Sequence, residues 1–190
     1  LYDRRAEIGK NAQNKYAALE NLIDHMNPEQ IFDTILFVTD KQIETSFDIL
    51  TSRKIKRAKI TENESASRHV GRDGNTERQE IISQFVGRKL QVLVGIKCLD
   101  EGIDIPNARI AILMASSTNP REFVQRVGRV IRQAPEKPIS EIYDFVVDSD
   151  DAVLLRKEAR RAKLIAQNSV NYDEVRKAFE SKGADFNAYQ

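Results

Sequence analysis

The sequence predicts an α/β domain built on a mainly parallel sheet with flanking helices, and three observations point there. Residues 34–39 (T-I-L-F-V-T), 90–95 (L-Q-V-L-V-G) and 109–115 (R-I-A-I-L-M-A) are short apolar runs, the look of strands buried on both faces. Segments with helical spacing of apolar residues alternate with them. No internal repeat and no Gly/Ser/Pro linker divides the 190 residues, a length that suits one domain with extensions.

Composition narrows the function. With 41% hydrophobic and 31% charged residues the chain can bury a real core, and its net charge is only +1. No global field pulls it onto nucleic acid or membrane, so anion binding has to come from local clusters. The single Cys98 rules out an internal disulfide, and two His offer no zinc set. No apolar run approaches about 18 residues, and no signal peptide is visible. An intracellular, reducing, cytoplasmic setting is expected. Leu1 in place of Met suggests an excised fragment.

Taken in order, residues 1–29 read as a helical lead-in whose apolar stripe is Ala17, Leu19, Leu22, Ile23 and Met26, ending near Asn27-Pro28. After the 34–39 strand, Asp40 is expected to cap a helix carrying Ile43, Phe47 and Leu50. Residues 53–59 hold five bases around Ile55 and Ala58 and read as solvated, with a short strand over 58–61. The polar loop 61–75 contains Arg72, a candidate phosphate contact, and His69, an ordinary loop residue. Residues 76–85 form a helix with Thr76 and Gln79 at capping-box spacing, an apolar face of Ile81, Ile82, Phe85 and Val86, and Gly87 to end it.

The 90–95 strand leads into I-K-C-L-D-E-G-I-D-I-P at 96–106. Gly102 permits close approach of a ligand, and Pro106 fixes the exit. Asp104, between Ile103 and Ile105, is a carboxylate that burial penalises unless it finds donors. Backbone amides, a ribose hydroxyl or an arginine can each supply them. Residues 139–147 include a further strand with Tyr143 and Phe145 toward the core. Residues 150–168 form a charged helix with Val153, Leu154, Ala162 and Ile165 inward and a solvated basic face of Arg156, Lys157, Arg160, Arg161 and Lys163. Residues 171–190 give a last helix and a frayed end.

Residues 119–133 read N-P-R-E-F-V-Q-R-V-G-R-V-I-R-Q. Asn119, Pro120 and Glu122 form a helix-start signature. At about 100° per residue, Phe123, Val124, Val127, Val130 and Ile131 gather on one side, and Gln125, Arg129 and Arg132 on the other. No acid neutralises these arginines within 125–133. Planar, permanently charged forks suit phosphate oxygens better than lysine does, although a solvated basic face is the plain alternative. Gly128 lets another backbone or ligand come close.

Q-R-V-G-R-V-I-R resembles motif VI of superfamily 2 helicases (Q/H-R-x-G-R-x-x-R), and the stretch ending in E-G-I-D-I-P resembles their motif V. The 34–39 strand and its following helix resemble motif IV, and Arg78 with Phe85 matches the R-x-x-x-x-x-x-F pattern before motif V. The resemblance covers roughly 30–147. It implies a three-layer RecA-like (P-loop NTPase-like) fold, with a lead-in at 1–29, the RecA-like domain at 30–148 and a helical extension at 149–190. Ile96 departs from the family's usual Thr and is similar to the restriction-enzyme motor and XPB-like branch, which favours DNA over RNA.

The family's roles, carried onto matching positions, make Arg129 and Arg132 arginine fingers toward an ATP γ-phosphate. Gly102 and Asp104 then meet the ribose side, and Gln125 and Arg126 order the site. Thr39, Lys41, Ile96 and Lys97 contact the backbone of the tracked strand. No G-x-x-x-x-G-K-[ST] and no D-E-x-[DH] box occurs in the sequence, so ATP with Mg2+ is expected to be held mainly by a first RecA-like domain of the same protein, and this chain alone to be inactive. No metal site of its own and no membrane contact is expected. A non-catalytic RecA-like nucleic-acid or protein-interaction module, and a free-standing nucleotide-binding enzyme, are the alternatives.

Overall fold

The computed structural model describes residues 9, 11–29, 31–61, 76–95, 105, 108–115, 127–128 and 139–186. The chain divides into two compact units, Gln13–Ala115 with Arg126–Phe145, and Leu1–Ala12 with Ser116–Gln125 and Val146–Gln190.

The first unit holds α1 (Asn14–His25), β1 (Thr34–Phe37), α2 (Ile43–Ser52), β2 (Arg57–Ile60), α3 (Glu77–Val86), β3 (Val92–Gly95), β4 (Ile110–Leu113) and β5 (Glu141–Asp144). The strands form one sheet in the order β2-β3-β1-β4-β5, and every neighbouring pair is parallel. β1, β3 and β4 are buried at every residue, as uniformly apolar runs require in a sheet covered on both faces. Leu36, Val92, Val94, Ile110 and Ile112 share one cluster with Leu19 and Ile23 of α1 and Ile49 and Leu50 of α2. Ile35, Leu93, Ala111 and Leu113 are just as buried and alternate to the opposite face. α1 therefore belongs to the sheet unit: Leu19 is fully buried, contributing about 1.5–3 kcal/mol.

Several local expectations change. Ala17 is exposed, and the buried row on α1 is Lys15, Leu19 and Ile23, one residue per turn on a single face. Thr76 and Gln79 do make a full capping box on α3. Phe85 is its buried residue, whereas Val86 is exposed at the last turn. Gly87 takes an ordinary φ of -77°, and Arg88 adopts the left-handed φ of 55° that closes the helix. Tyr143 and Phe145 pack against the main cluster as expected.

The second unit contains α4 (Ala152–Ala166) and α5 (Tyr172–Glu180). Its core is Leu155, Ala159 and Ala162 with Phe179, Ala184 and Phe186, flanked by Tyr172 and Val175. Asp151 caps α4 by accepting from the Val153 and Leu154 amides. Val153 is exposed and Ile165 only half-buried, because the buried stripe runs through the alanines instead. Arg161 leaves the expected basic face altogether. It is 3% exposed and forms a two-pronged bond to Glu158, 3.0 and 2.8 Å, and Glu158 also accepts from the Val147 amide at 3.3 Å. The last helix is present as expected, and the chain stays packed through Phe186; the frayed end expected beyond it lies outside the described residues. Gly183, at φ +81°, turns the chain so that Ala184 donates to the Phe179 carbonyl at 3.1 Å. Phe186 then stacks on Phe179 with centroids 5.6 Å apart.

Candidate functional site

The strand ends define the site. The register sets Phe37 beside both Gly95 and Leu113, Gly95 beside Ile60, and Leu113 beside Asp144. All five strands therefore finish level at one edge. Backbone bonds continue just past it: Val38 donates to the Gly95 carbonyl at 3.0 Å, and Met114 and Ala115 both donate to Phe37 at 3.0 and 3.2 Å. The motif IV-like turn, the motif V-like loop and the segment toward the arginines thus depart from three adjacent strands. Ligands gather outside such carboxyl ends in open α/β sheets.

Thr39 and Lys41 lie on this edge, Thr39 half-buried and Lys41 exposed. The turn carrying them is held by Gln42, which is fully buried. Its side-chain oxygen accepts from the Thr39 amide at 2.9 Å, and its own amide donates to the Thr39 carbonyl at 2.9 Å. This reciprocal pair closes the turn before α2, whose N-cap is Gln42 with no side-chain cap bond, and Asp40, expected to cap the helix, stays exposed. The T-x-x-Q spacing resembles a capping box, but here it closes the turn ahead of the helix, with the Gln42 amide on the Thr39 carbonyl.

An overlooked residue is Lys15. Its ammonium is buried and donates to the Met114 carbonyl at 2.8 Å, and Ser46 donates to the Met114 sulfur at 3.5 Å. Met114, fully buried, is thereby tied to α1, β1 and α2 at the exit of β4. Nothing in the local sequence marks Lys15, because its partner lies 99 positions away.

The basic run 53–59 splits between tasks. Arg53 grips Asp24 on α1 at 2.6 and 2.8 Å, and that hydrogen bond holds the Asp24 carboxyl below its ordinary pKa and the guanidinium above its own. Arg57 and Lys59 approach the Phe47 ring at 4.5 and 5.4 Å, and Lys59 also pairs with Glu44 at 2.8 Å. These are cation–π and ion-pair contacts that brace β2 against α2.

Val127 is helical and 3% exposed, as the apolar side of the arginine segment requires. Gly128 is helical and exposed, and a Cβ built there meets nothing within 4 Å among the described residues beyond its own helix. Ile105 is buried. Arg72, Ile96, Lys97, Gly102, Asp104, Gln125, Arg126, Arg129 and Arg132 lie outside the described residues. Among the described residues no His/Cys/Asp/Glu group has the makings of a metal site, and no helix is long and apolar enough to cross a membrane.

A five-stranded parallel sheet with flanking helices is the architecture of a RecA-like lobe. The chain belongs to the helicase conserved C-terminal domain family, whose model matches residues 14–134. It is 26% identical over 132 residues to the DNA 3'-5' translocase XPB2 of Sulfurisphaera tokodaii, covering 70% of this chain and 26% of that protein. It is 38% identical over 119 residues to UvrABC system protein B of Aromatoleum aromaticum, covering 59% and 17%. The chain thus spans about a quarter or less of these relatives. In fold it resembles the C-terminal domain of the DEAD-box protein Dbp5, with a TM-score of 0.60, 22% identity, and 91% and 93% of the two chains covered.

Proposed function

We propose that the chain is the C-terminal motor lobe of an ATP-dependent helicase or translocase that acts on nucleic acid, DNA in preference to RNA, in the cytoplasm. The observation that carries this reading is the level departure of three motif-bearing segments from β1, β3 and β4 at one sheet edge. Preference for DNA rests on Ile96 and on the similarity to a protein named as a DNA translocase.

The residues present suit a nucleotide shared with a first RecA-like domain. Val127 anchors one side of the arginine segment in the core, while Gly128 leaves open space on the other, room for a second backbone or a phosphate. On this reading Arg129 and Arg132 reach the γ-phosphate, Gln125 and Arg126 order the site, and Gly102 and Asp104 meet the ribose. Bound ATP supplies the transferable phosphoryl group, and Mg2+ is held mainly by the first domain. What this chain adds is permanent, preorganised positive charge, which in phosphoryl transfer is worth about 10³ to 10⁵ in rate. Thr39, Lys41, Arg72, Ile96 and Lys97 form part of the nucleic-acid track, and Gln42 keeps the Thr39–Lys41 turn in shape.

The test is Arg129→Ala in the full-length protein. Turnover should fall by at least about a hundredfold while ATP affinity changes little, since a finger acts mostly in the transition state. Unchanged turnover would favour the non-catalytic interaction module, and equal loss of affinity and turnover would remove Arg129 from the finger role. The isolated chain should show no ATP turnover above background.

A further inference from the structure

The opposite, amino-terminal edge of the sheet is also built. Parallel strands return through helices, so the carboxyl ends of α2 and α3 and the residues preceding each strand all meet there. Backbone and side-chain bonds lace these loops side by side. Gln91 donates to the Lys56 carbonyl at 2.7 Å and accepts from the Lys56 amide at 3.0 Å. Arg88 donates to Asp33 at 2.7 Å, and the Asp33 carbonyl accepts from the Arg109 amide at 2.7 Å. Lys54, Lys56, Arg88, Lys89 and Arg109 are exposed along this line. Lys54, Lys56, Lys89 and Arg109 make no ion pair among the described residues. The described acids nearby include Glu29, exposed on the loop before β1, Glu141, which accepts from Tyr143, Asp33, whose carboxylate is committed to Arg88, and Asp24 and Glu20, which face Arg53.

Strain gathers at the same place. Asp33, Lys54 and Arg88, at φ 61°, 57° and 55°, are the non-glycine residues with left-handed backbone among those described. Strained positions cluster where function needs a fixed geometry. At Lys54 and Arg88 the conformation ends a helix, and the charge complements the helix dipole. That explanation does not reach Lys56 or Arg109, which precede strands, nor Asp33. Asp33 is 2% exposed, keeps one carboxylate oxygen buried without a partner, and fixes the Arg88 guanidinium while that side chain stays 61% exposed.

We infer that this edge is a second polyanion site that takes the sugar–phosphate backbone of a nucleic acid, remote from the carboxyl edge. The nucleic-acid reading above supplies only the identity of the polyanion. Strands lie about 4.8 Å apart, so the line from Lys56 before β2 to Arg109 before β4 runs about 14 Å. That length matches about four phosphates of one strand at about 3.4 Å each.

The experiment measures duplex-DNA binding of the full-length protein against salt, comparing wild type with Lys56→Gln/Lys89→Gln/Arg109→Gln. Each lost phosphate contact should shallow the slope of log K on log salt by about 0.9, so the triple variant should lose about two to three units. Basal ATP turnover and melting temperature should stay as in wild type. A charge-keeping control, Lys56→Arg/Lys89→Arg/Arg109→Lys, should restore the slope. A wild-type slope in the neutral variant overturns the proposal, even if binding of an acidic polypeptide is lost. Arg129→Ala provides the separation from the motor reading: it should abolish turnover and leave this slope intact.

Discussion

Gln42 and Thr39 exchange two hydrogen bonds, one from each backbone amide, both 2.9 Å long. Because Gln42 is fully buried, its side-chain oxygen is the acceptor that the Thr39 amide has in place of water. Gln42→Leu should leave that amide short of a partner and cost about 1–3 kcal/mol, read as a shift in the urea midpoint. Gln42→Glu retains the acceptor, at a desolvation cost of its own. If the leucine variant unfolds at the wild-type midpoint, the turn does not depend on this pair.

Gly128 separates what the fold needs from what a partner needs. Among the described residues, its chain neighbours and own helix aside, nothing lies within 4 Å of a Cβ there, and alanine is the better helix former by about 1 kcal/mol. Gly128→Ala should therefore unfold at the same or a higher temperature. In the full-length protein it should slow ATP turnover if the open space receives another backbone or a phosphate. Wild-type turnover in that variant would mean the space receives nothing.

The Glu158–Arg161 pair is fully buried on α4, with nitrogen–oxygen distances of 2.8 and 3.0 Å. Removing one partner strands the other charge, so Arg161→Met should cost about 3–5 kcal/mol. The joint change Glu158→Leu/Arg161→Met should cost clearly less, because no charge is left uncompensated. Chemical denaturation of the single and double variants checks this, and a double variant as unstable as the sum of the singles would contradict it.

Tyr143 carries a prediction in alkali. Its hydroxyl donates to Glu141 at 2.6 Å, and that bond, with partial burial, pushes the phenol up to about 12. The protonated form is the favoured one in the fold. The contribution is thus complete below pH 10.0, the ordinary value, and disappears as pH rises toward about 12. Absorbance at a phenolate wavelength should show a late step that Tyr143→Phe removes and Glu141→Gln moves to lower pH.

Much of this was written locally. The runs at 34–39, 90–95 and 109–115 became β1, β3 and β4 because uninterrupted apolar composition suits only strands covered on both sides. Thr76 and Gln79 built the capping box their spacing promised. The family was also readable, since E-G-I-D-I-P and Q-R-V-G-R-V-I-R keep their identity and spacing over short distances.

Tertiary structure decided what depends on partners far along the chain. The order β2-β3-β1-β4-β5 places Gly95 and Leu113 on either side of Phe37, and no local pattern encodes that adjacency. It turned Lys15 from a surface-looking base into a buried donor to Met114, and Arg161 from a basic-face residue into half of an enclosed ion pair. A charge's fate is set by what the fold brings against it, because burying a cation is tolerable only beside a carbonyl or carboxylate. Periodicity names the face of a helix, and only packing names its neighbour.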